Sequence, residues 1–318
     1  MKRALIIGIS GQDGSLLSKH LLDNGYEVYG TSRDHEITNF NGLKQLGVFS
    51  DVKIYTMVLN DFRSVLKVIS MVKPDEIYNL AGQTSVGYSY LQPFETFESI
   101  VNGCLNILES VKYLDFNCKI FNPSSSECYG GSDIVLNEHS PFNPISPYAV
   151  AKTSAYWLTS NYRDTYGIYT CSGILSNHES FLRNKRFVTM KIVNSAKNIS
   201  KGLEQILELG DISIMRDWGC AEEYVKGMHL MLQQEKPEDM IISTGMSISL
   251  EEFVDYVFNK YELNYKEHLI INDNLKRPND IKISKLSNDT LGRKLKWLPK
   301  NNVYNVIDNL ISKINKND

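Results

Sequence analysis

The sequence predicts an α/β protein built on a doubly wound parallel sheet. Short apolar runs alternate with stretches of helical periodicity along most of the chain. A glycine-rich turn joins the first apolar run to the first helical stretch. A later apolar run, Lys119–Asn122, leads straight into Ser124-Ser125-Ser126-Glu127.

Ala4-Leu5-Ile6-Ile7 reads as a strand buried on both faces. It enters Gly8-Ile9-Ser10-Gly11-Gln12-Asp13-Gly14, and Leu16, Leu17, Leu21 and Leu22 then mark a helix that stops at Asn24-Gly25. Glu27–Gly30 is the second strand. Strand, glycine turn, helix and strand within about thirty residues form a dinucleotide-binding unit. Its glycines let backbone approach a pyrophosphate, and the helix N-terminus offers free N–H groups. The spacing is GxxGxxG, with Gly8, Gly11 and Gly14 as its members. After the second strand, an acidic residue favours a ribose diol and an arginine favours a 2′-phosphate. Thr31-Ser32-Arg33-Asp34 places Arg33 there, so NADP is expected rather than NAD.

The alternation continues with a strand at Val52–Met57 and a helix at Asp61–Val72. A strand at Glu76–Ala81 runs into Gly82-Gln83, and one long helix is expected over Phe97–Tyr113. Next come the strand into Ser124–Glu127, a helix at 147–164 and a strand at Thr170–Leu175. The pattern then loosens. Arg183, Lys185 and Arg186 read either as a solvated face or as a second diphosphate site. Ile212–Met215 reads as a strand, 221–233 as a helix and Met240–Ser243 as a strand. Ser249-Leu250-Glu251-Glu252 is a capping box for a helix through about Lys260. Val303–Ile314 is a terminal amphipathic helix, followed by a polar tail expected to fray. The division expected is 1–175 plus 218–247 for a Rossmann-type dinucleotide domain, and 176–217 plus 248–318 for a smaller α/β C-terminal substrate domain.

The chain of 318 residues has ample length for a core, and 42% apolar with 22% charged residues is ordinary for a globular protein. A net charge of −3 without a basic block argues against nucleic acid or an anionic membrane as partner. No run approaches the roughly 18 apolar residues of a membrane span. Cys104, Cys118, Cys128, Cys171 and Cys220 are widely spaced, without CxxC, and six scattered histidines lack zinc spacing. Reduced thiols, no metal and a cytoplasmic location are the expectation.

The chemistry concentrates between Pro123 and Lys152. Tyr148 and Lys152 stand four apart, on one face of a helix. A nearby ammonium favours a phenolate, which would lower the phenol's pKa and make it a base. Alone, such a pair is more often an exposed surface feature that follows a serine-rich polar turn. The parallel sheet changes this, because ligands bind outside the carboxyl ends of its strands. Ser125, Glu127 and Gln83 all follow strand ends and so converge on the reactive end of a cofactor.

Together these stretches resemble the extended short-chain dehydrogenase/reductases of nucleotide-sugar metabolism, and within them the GDP-mannose 4,6-dehydratase family. Gly11-Gln12-Asp13-Gly14, Ser125-Ser126-Glu127 and Tyr148-Ala149-Val150-Ala151-Lys152 carry the resemblance, with Asn177-His178-Glu179-Ser180, Phe187-Val188-Thr189 and Arg216-Asp217-Trp218-Gly219 in the substrate half. It implies a lyase that converts GDP-mannose to GDP-4-keto-6-deoxymannose by internal hydride transfer through bound NADP. It implies Ser125, Glu127, Tyr148 and Lys152 as catalytic. Gly8, Gly11, Gln12, Asp13, Gly14, Arg33, Leu59, Gln83 and His178, with Tyr148 and Lys152, are implied at the cofactor. Ser85, Asn177, Arg183, Val188, Lys191, Arg216 and Arg277 are implied at the substrate, the two last at its diphosphate. A homo-oligomer is implied, a dimer through the helices at 97–113 and 147–164 or a tetramer.

The chain departs from the family pattern in places. Ser125 stands where threonine is usual, and Val58 where an aspartate contacts adenine. Asp34-His35-Glu36-Ile37-Thr38 replaces an Arg/Ser-rich tetramer segment, and Phe181-Leu182-Arg183-Asn184 replaces Pro-Arg-Arg-Gly. A GDP-heptose dehydratase or an NADP-dependent epimerase or reductase are therefore the alternatives. A non-catalytic dinucleotide sensor is the remote one.

Overall fold

The computed structural model describes residues 1–316. Seven strands form one sheet: β1 (Arg3–Ile7), β2 (Glu27–Ser32), β3 (Lys53–Thr56), β4 (Glu76–Asn79), β5 (Lys119–Ser125), β6 (Thr170–Leu175) and β7 (Met240–Ile242). Their order is β7-β6-β5-β4-β1-β2-β3, and every pairing is parallel. The chain reverses its direction of winding between β1 and β4, and a crevice opens at such a point.

The packing follows from side-chain alternation. Ala4 and Ile6 of β1 face one way, into a core with Leu16, Leu17 and Leu21 of α1 (Gln12–Asp23). Leu5 and Ile7 face the other way, against Val65, Val68 and Ile69 of α2 (Phe62–Val72) and Ile107, Leu108 and Val111 of α3 (Gly103–Leu114). Ala151 and Ala155 of α4 (Pro147–Tyr166) complete that second layer. A third core lies off the sheet. It joins Ile192 and Val193 of α5 (Val188–Ser200) to Phe253, Val257 and Phe258 of α7 (Leu250–Asn259) and to Ile307 and Leu310 of α8 (Val303–Lys316). The helix between, α6 (Ala221–Leu232), belongs to the first layer through Tyr224, Val225 and Met228.

Local structure departs from expectation in three places. The helix expected over Phe97–Tyr113 is a short helix Pro93–Phe97, a π turn Glu98–Asn102, and then α3. The π turn brings Ser99 Oγ to the backbone N–H of Gln83, at 3.2 Å. The strand expected at Ile212–Met215 shrinks to Met215–Arg216, because the Asp211 carboxylate accepts the Ser213 N–H at 2.9 Å and turns the chain. The terminal helix runs on to Lys316, and the rest of the tail, residues 317–318, lies outside the described residues.

Candidate active site

The end of β5 organises the site. Its last residue, Ser125, caps a 3₁₀ turn, Ser126–Tyr129, and its hydroxyl accepts the Glu127 N–H at 3.2 Å. That bond directs the Glu127 carboxylate off the strand end. α4 begins beside it. Ser146 caps this helix by accepting the Ala149 N–H, and Pro147 occupies the first turn, where its missing N–H costs nothing. Tyr148 thereby comes close to Ser125, whose hydroxyl favours the phenolate. One turn on, Lys152 Nζ donates to the Pro123 carbonyl at 2.8 Å. All four side chains are buried.

The electrostatics correct one expectation. Burial pushes the Tyr148 phenol well up, and the nearby Ser125 hydroxyl opposes this without reversing it. Lys152 does not make it acidic: its Nζ lies 5.8 Å from the Tyr148 ring centroid and is engaged by Pro123. Lys152 is itself lowered to about 8, again by burial. Burial also raises the Glu127 carboxyl, against the pull of the Arg216 and Arg277 cations.

Arg216 Nε lies 3.8 Å from Glu127 Oε1. Its Nη1 donates to the Met215 and Ile281 carbonyls, and its Nη2 to Asp280 Oδ1 at 2.9 Å. The same Asp280 oxygen accepts from Arg277 Nη1, also at 2.9 Å. Arg216 is 4% exposed, whereas the Arg277 side chain keeps 32% of its surface. Asp280 was missed in the sequence. Its one signal is a carboxylate three residues beyond Arg277 in an otherwise irregular loop.

A cavity of about 620 Å³ opens at the carboxyl ends of β1, β2 and β4. Gly8, Gly11, Arg33, Leu59 and Gln83 all line it. Gly8 has φ +86°, and a Cβ there would meet Ala81 N at 2.8 Å. At Gly14 a Cβ would lie 2.5 Å from the Gly8 carbonyl oxygen, so this glycine seats the helix on the turn. The N-cap of α1, Gly11, has no side-chain cap, which leaves first-turn N–H groups for a ligand. The donors, the bare backbone and the volume fit a dinucleotide. Gln83 shapes the far wall: its Nε2 donates to the Ser85 carbonyl at 2.8 Å and to Thr96 Oγ1 at 3.2 Å. Tyr88 lines the cavity, and the next residue, Ser89, accepts the Tyr148 N–H at 3.2 Å. The cavity and the β5 end are thus neighbours.

The other candidates fall elsewhere. Gln12, Asp13 and His178 bind one another. His178 Nε2 lies 2.9 Å from Asp13 Oδ2, and Gln12 Nε2 donates to the His178 carbonyl at 3.1 Å. Burial raises the Asp13 carboxyl, but the charge and hydrogen bond of His178 hold it at about 2. Asn177 lies in a short strand, Asn177–Glu179, paired in parallel with Trp218–Cys220. Ser85 caps a helix, Val86–Leu91, and Val188 opens α5. Arg183 Nε lies 3.3 Å from Glu179 Oε2, and Lys191 Nζ donates to the Glu208 carbonyl at 2.6 Å. The Arg183 charge acts on the Tyr148 phenol and on Asp13, and the one cation in an ion pair with Glu127 among the described residues is Arg216.

The sheet order, the glycine-lined cavity and the Ser/Glu/Tyr/Lys group at its edge define a short-chain dehydrogenase/reductase of the extended, nucleotide-sugar type. The chain belongs to the GDP-mannose 4,6-dehydratase family, whose model matches residues 5–310. It is 40% identical over 311 residues to GDP-mannose 4,6 dehydratase 1 of Arabidopsis thaliana, covering 94% of this chain and 86% of that protein. It is 43% identical over 264 residues to the GDP-mannose 4,6-dehydratase of Vibrio cholerae, covering 80% and 70%. The fold is shared with a UDP-glucose 4-epimerase of Thermus thermophilus, solved with NAD, at TM-score 0.87, 23% identity and coverage of 98% and 99%. It is shared equally with a dTDP-glucose 4,6-dehydratase of Bacillus anthracis, at TM-score 0.86, 19% identity and coverage of 100% and 98%.

Proposed function

We propose that this protein is a hydro-lyase that converts GDP-mannose to GDP-4-keto-6-deoxymannose. The observation that carries the reading is Glu127, a carboxylate buried beside Ser125 and Tyr148 and faced by a guanidinium. A 4-epimerase or a 4-keto reductase needs Tyr148 and Lys152 but no base at C5. The family relatives named above support the same choice.

The glycine turn, Arg33, Leu59 and Gln83 would hold a nicotinamide dinucleotide, NADP in preference to NAD. Bound there, it supplies a hydride acceptor and donor, and in its oxidised form the positive charge that favours the phenolate of Tyr148. Tyr148 then takes the C4 hydroxyl proton while Ser125 hydrogen-bonds O4. Lys152, its ammonium fixed on the Pro123 carbonyl and 5.8 Å from the phenol ring centroid, adds to that positive charge without setting the phenol's acidity by itself. With a ketone at C4 the C5 proton is acidic. Glu127 removes it and passes it to the departing C6 hydroxyl, which leaves as water; the hydride taken from C4 would be returned at C6, and a proton exchanged with solvent would be delivered at C5, which completes the 6-deoxy product. Arg277, the more open of the two arginines on Asp280, is assigned to the substrate diphosphate, with Arg216 behind it. Asn177, Ser85 and Val188 are assigned to the rest of the nucleotide sugar, and Arg183 and Lys191 to its periphery. His178, Gln12 and Asp13 brace the cofactor end of α1.

The third hydrophobic core supports the division into a dinucleotide domain and a substrate domain. A dimer through the α3 and α4 faces is also proposed, since Val150 and Trp157 of α4 and Phe94 of the short helix Pro93–Phe97 are exposed. Among the described residues no helix is long and apolar enough to cross a membrane. A cytoplasmic location is part of this reading.

The test is the mass of the product. GDP-mannose incubated with the protein and no added reductant yields a product lighter by one water, carrying solvent deuterium at C5. Unchanged mass with inversion at C4 overturns the reading in favour of an epimerase. A panel of GDP-, UDP- and CDP-sugars, with a GDP-heptose included, identifies the preferred sugar.

A further inference from the structure

The segment after β6 does not stay with the substrate half. Ser180 Oγ donates to Gln12 Oε1 at 3.0 Å, which holds the segment over the start of α1. Leu182 then packs with the cluster that contains Phe40 and Leu43, and its Cδ1 lies 3.5 Å from where a Cβ on Gly42 would stand. The chain has therefore crossed to the loop that follows β2. There it turns: Asn184 Oδ1 accepts the Arg186 N–H at 3.0 Å, and the Asn184 carbonyl accepts the Phe187 N–H at 3.1 Å. This turn delivers Arg186 to the wall of the dinucleotide cavity, which Ser32, Arg33 and Thr38 also line.

The charges around that wall are uneven. Arg183 is paired with Glu179, but among the described residues neither Arg33 nor Arg186 has an ion-pair partner. The nearest acidic residue in sequence, Asp34, does not line the cavity. Its carboxylate accepts the Glu36 N–H at 2.9 Å and is turned into its own loop. Two carboxylates do line the cavity, Glu95 and Glu98, but they come from the helical segment after β4. A ribose diol seeks an acceptor after β2, whereas a phosphate monoester seeks several donors with positive charge.

We propose that Arg186 and Arg33 together hold the 2′-phosphate of the dinucleotide, so that Arg186 is a cofactor-specificity residue supplied from the far half of the sequence. The proposal rests on the reading of the cavity as a nicotinamide dinucleotide site. A phosphate monoester carries about −1.5 to −2 charges at neutral pH, which two guanidinium groups balance and one does not. The arrangement also couples the sites. The strand that bears Asn177 and the turn that bears Arg186 belong to one segment, so an ordered 2′-phosphate steadies the backbone next to the proposed sugar site.

The test is binding, not turnover. The purified full chain, Arg186→Ala, Arg186→Lys and Arg33→Ala are each titrated with NADP⁺ and with NAD⁺ by calorimetry, with melting curves to establish that each variant is folded. The unaltered chain binds NADP⁺ more tightly. Arg186→Ala weakens NADP⁺ by about tenfold or more, the loss of one charge-assisted contact, and leaves NAD⁺ within about twofold. Arg186→Lys falls between. Arg186→Ala with an undiminished preference for NADP⁺ overturns the proposal. So does equal weakening of both dinucleotides, which would place Arg186 on the pyrophosphate. An unaltered chain that binds the two alike fails the NADP reading itself, and fails this proposal with it.

Discussion

Arg216 Nε stands 3.8 Å from Glu127 Oε1, and both side chains are almost closed to solvent. Burial raises the Glu127 carboxyl, and the guanidinium offsets part of that rise. Removing the cation with Arg216→Met moves the Glu127 pKa further up. The base form is then lost at a higher pH, so the acid limb of the pH–rate profile shifts to higher pH. The profile of solvent deuterium uptake at C5 measures this. Arg216→Lys, which keeps a charge, shifts the limb less. An unmoved limb in Arg216→Met would show that Glu127 is not the titrating base.

Glu127→Gln keeps the shape of the side chain and its backbone bond to Ser125. It removes the proposed base. We expect the rate of water loss to fall by about 10²–10⁴, with NADP⁺ affinity unchanged. Mass spectrometry of the product and a cofactor titration check the two halves. Full activity would remove Glu127 from the mechanism.

Lys152 is held at about 8 by burial. Its ammonium is present below that pH and disappears as pH rises through it. The initial rate therefore declines above about pH 8 if Lys152 must be charged. Lys152→Met loses the donor to the Pro123 carbonyl as well, at a cost of about 1–3 kcal/mol in stability. Its residual rate no longer shows the basic limb, which a pH series on both proteins reads directly.

Gly14 seats α1 on the glycine turn. A Cβ there lies 2.5 Å from the Gly8 carbonyl oxygen and 2.7 Å from Ile9 Cα, both backbone atoms that cannot swing aside. Gly14→Ala is expected to cost about 1–3 kcal/mol and to weaken dinucleotide binding, measured by urea unfolding and by titration. Gly25→Ala, at φ +77° with open space around it, is strained by its backbone alone and leaves the cavity untouched.

A pair of histidines between α1 and α6 contributes to the acid response. His20 Nε2 and His229 Nδ1 are 3.0 Å apart, and His229 Nε2 meets Tyr26 Oη at 3.1 Å. Burial first, then the neighbouring His229, lowers His20 to about 4, and burial lowers His229 as well. The unfolded chain binds protons at these rings near 6.5 while the folded chain resists them. Stability is therefore complete above about 6.5 and is lost as pH falls towards 4. His20→Gln flattens that fall in a melting-temperature series from pH 7 to pH 4.

Much of this was legible in the order of residues. Alternating apolar runs and helical stripes give the parallel sheet, because each element's buried face is written at its own period, two for strands and 3.6 for helices. The glycine turn and the pairing of Tyr148 with Lys152 on one face are equally local. Capping residues such as Ser146 and Ser249 mark helix starts through bonds only three residues long. The π turn at Glu98–Asn102 was not legible, since the contact it makes, Ser99 with the Gln83 N–H, reaches a loop sixteen residues away.

The order of residues by itself determined the strand and helix succession, the glycine cradle and the presence of a hydroxyl, a carboxylate, a phenol and an ammonium at strand or helix ends. Tertiary structure alone decided that Asp280 joins Arg216 to Arg277, that Asp13 meets His178, and that Arg186 returns to the cofactor cavity. It also reversed the expected acidity of Tyr148. The reason is the same in each case. Periodicity and capping depend on neighbours in the chain, whereas desolvation and long-range ion pairing depend on which elements the crossovers bring together.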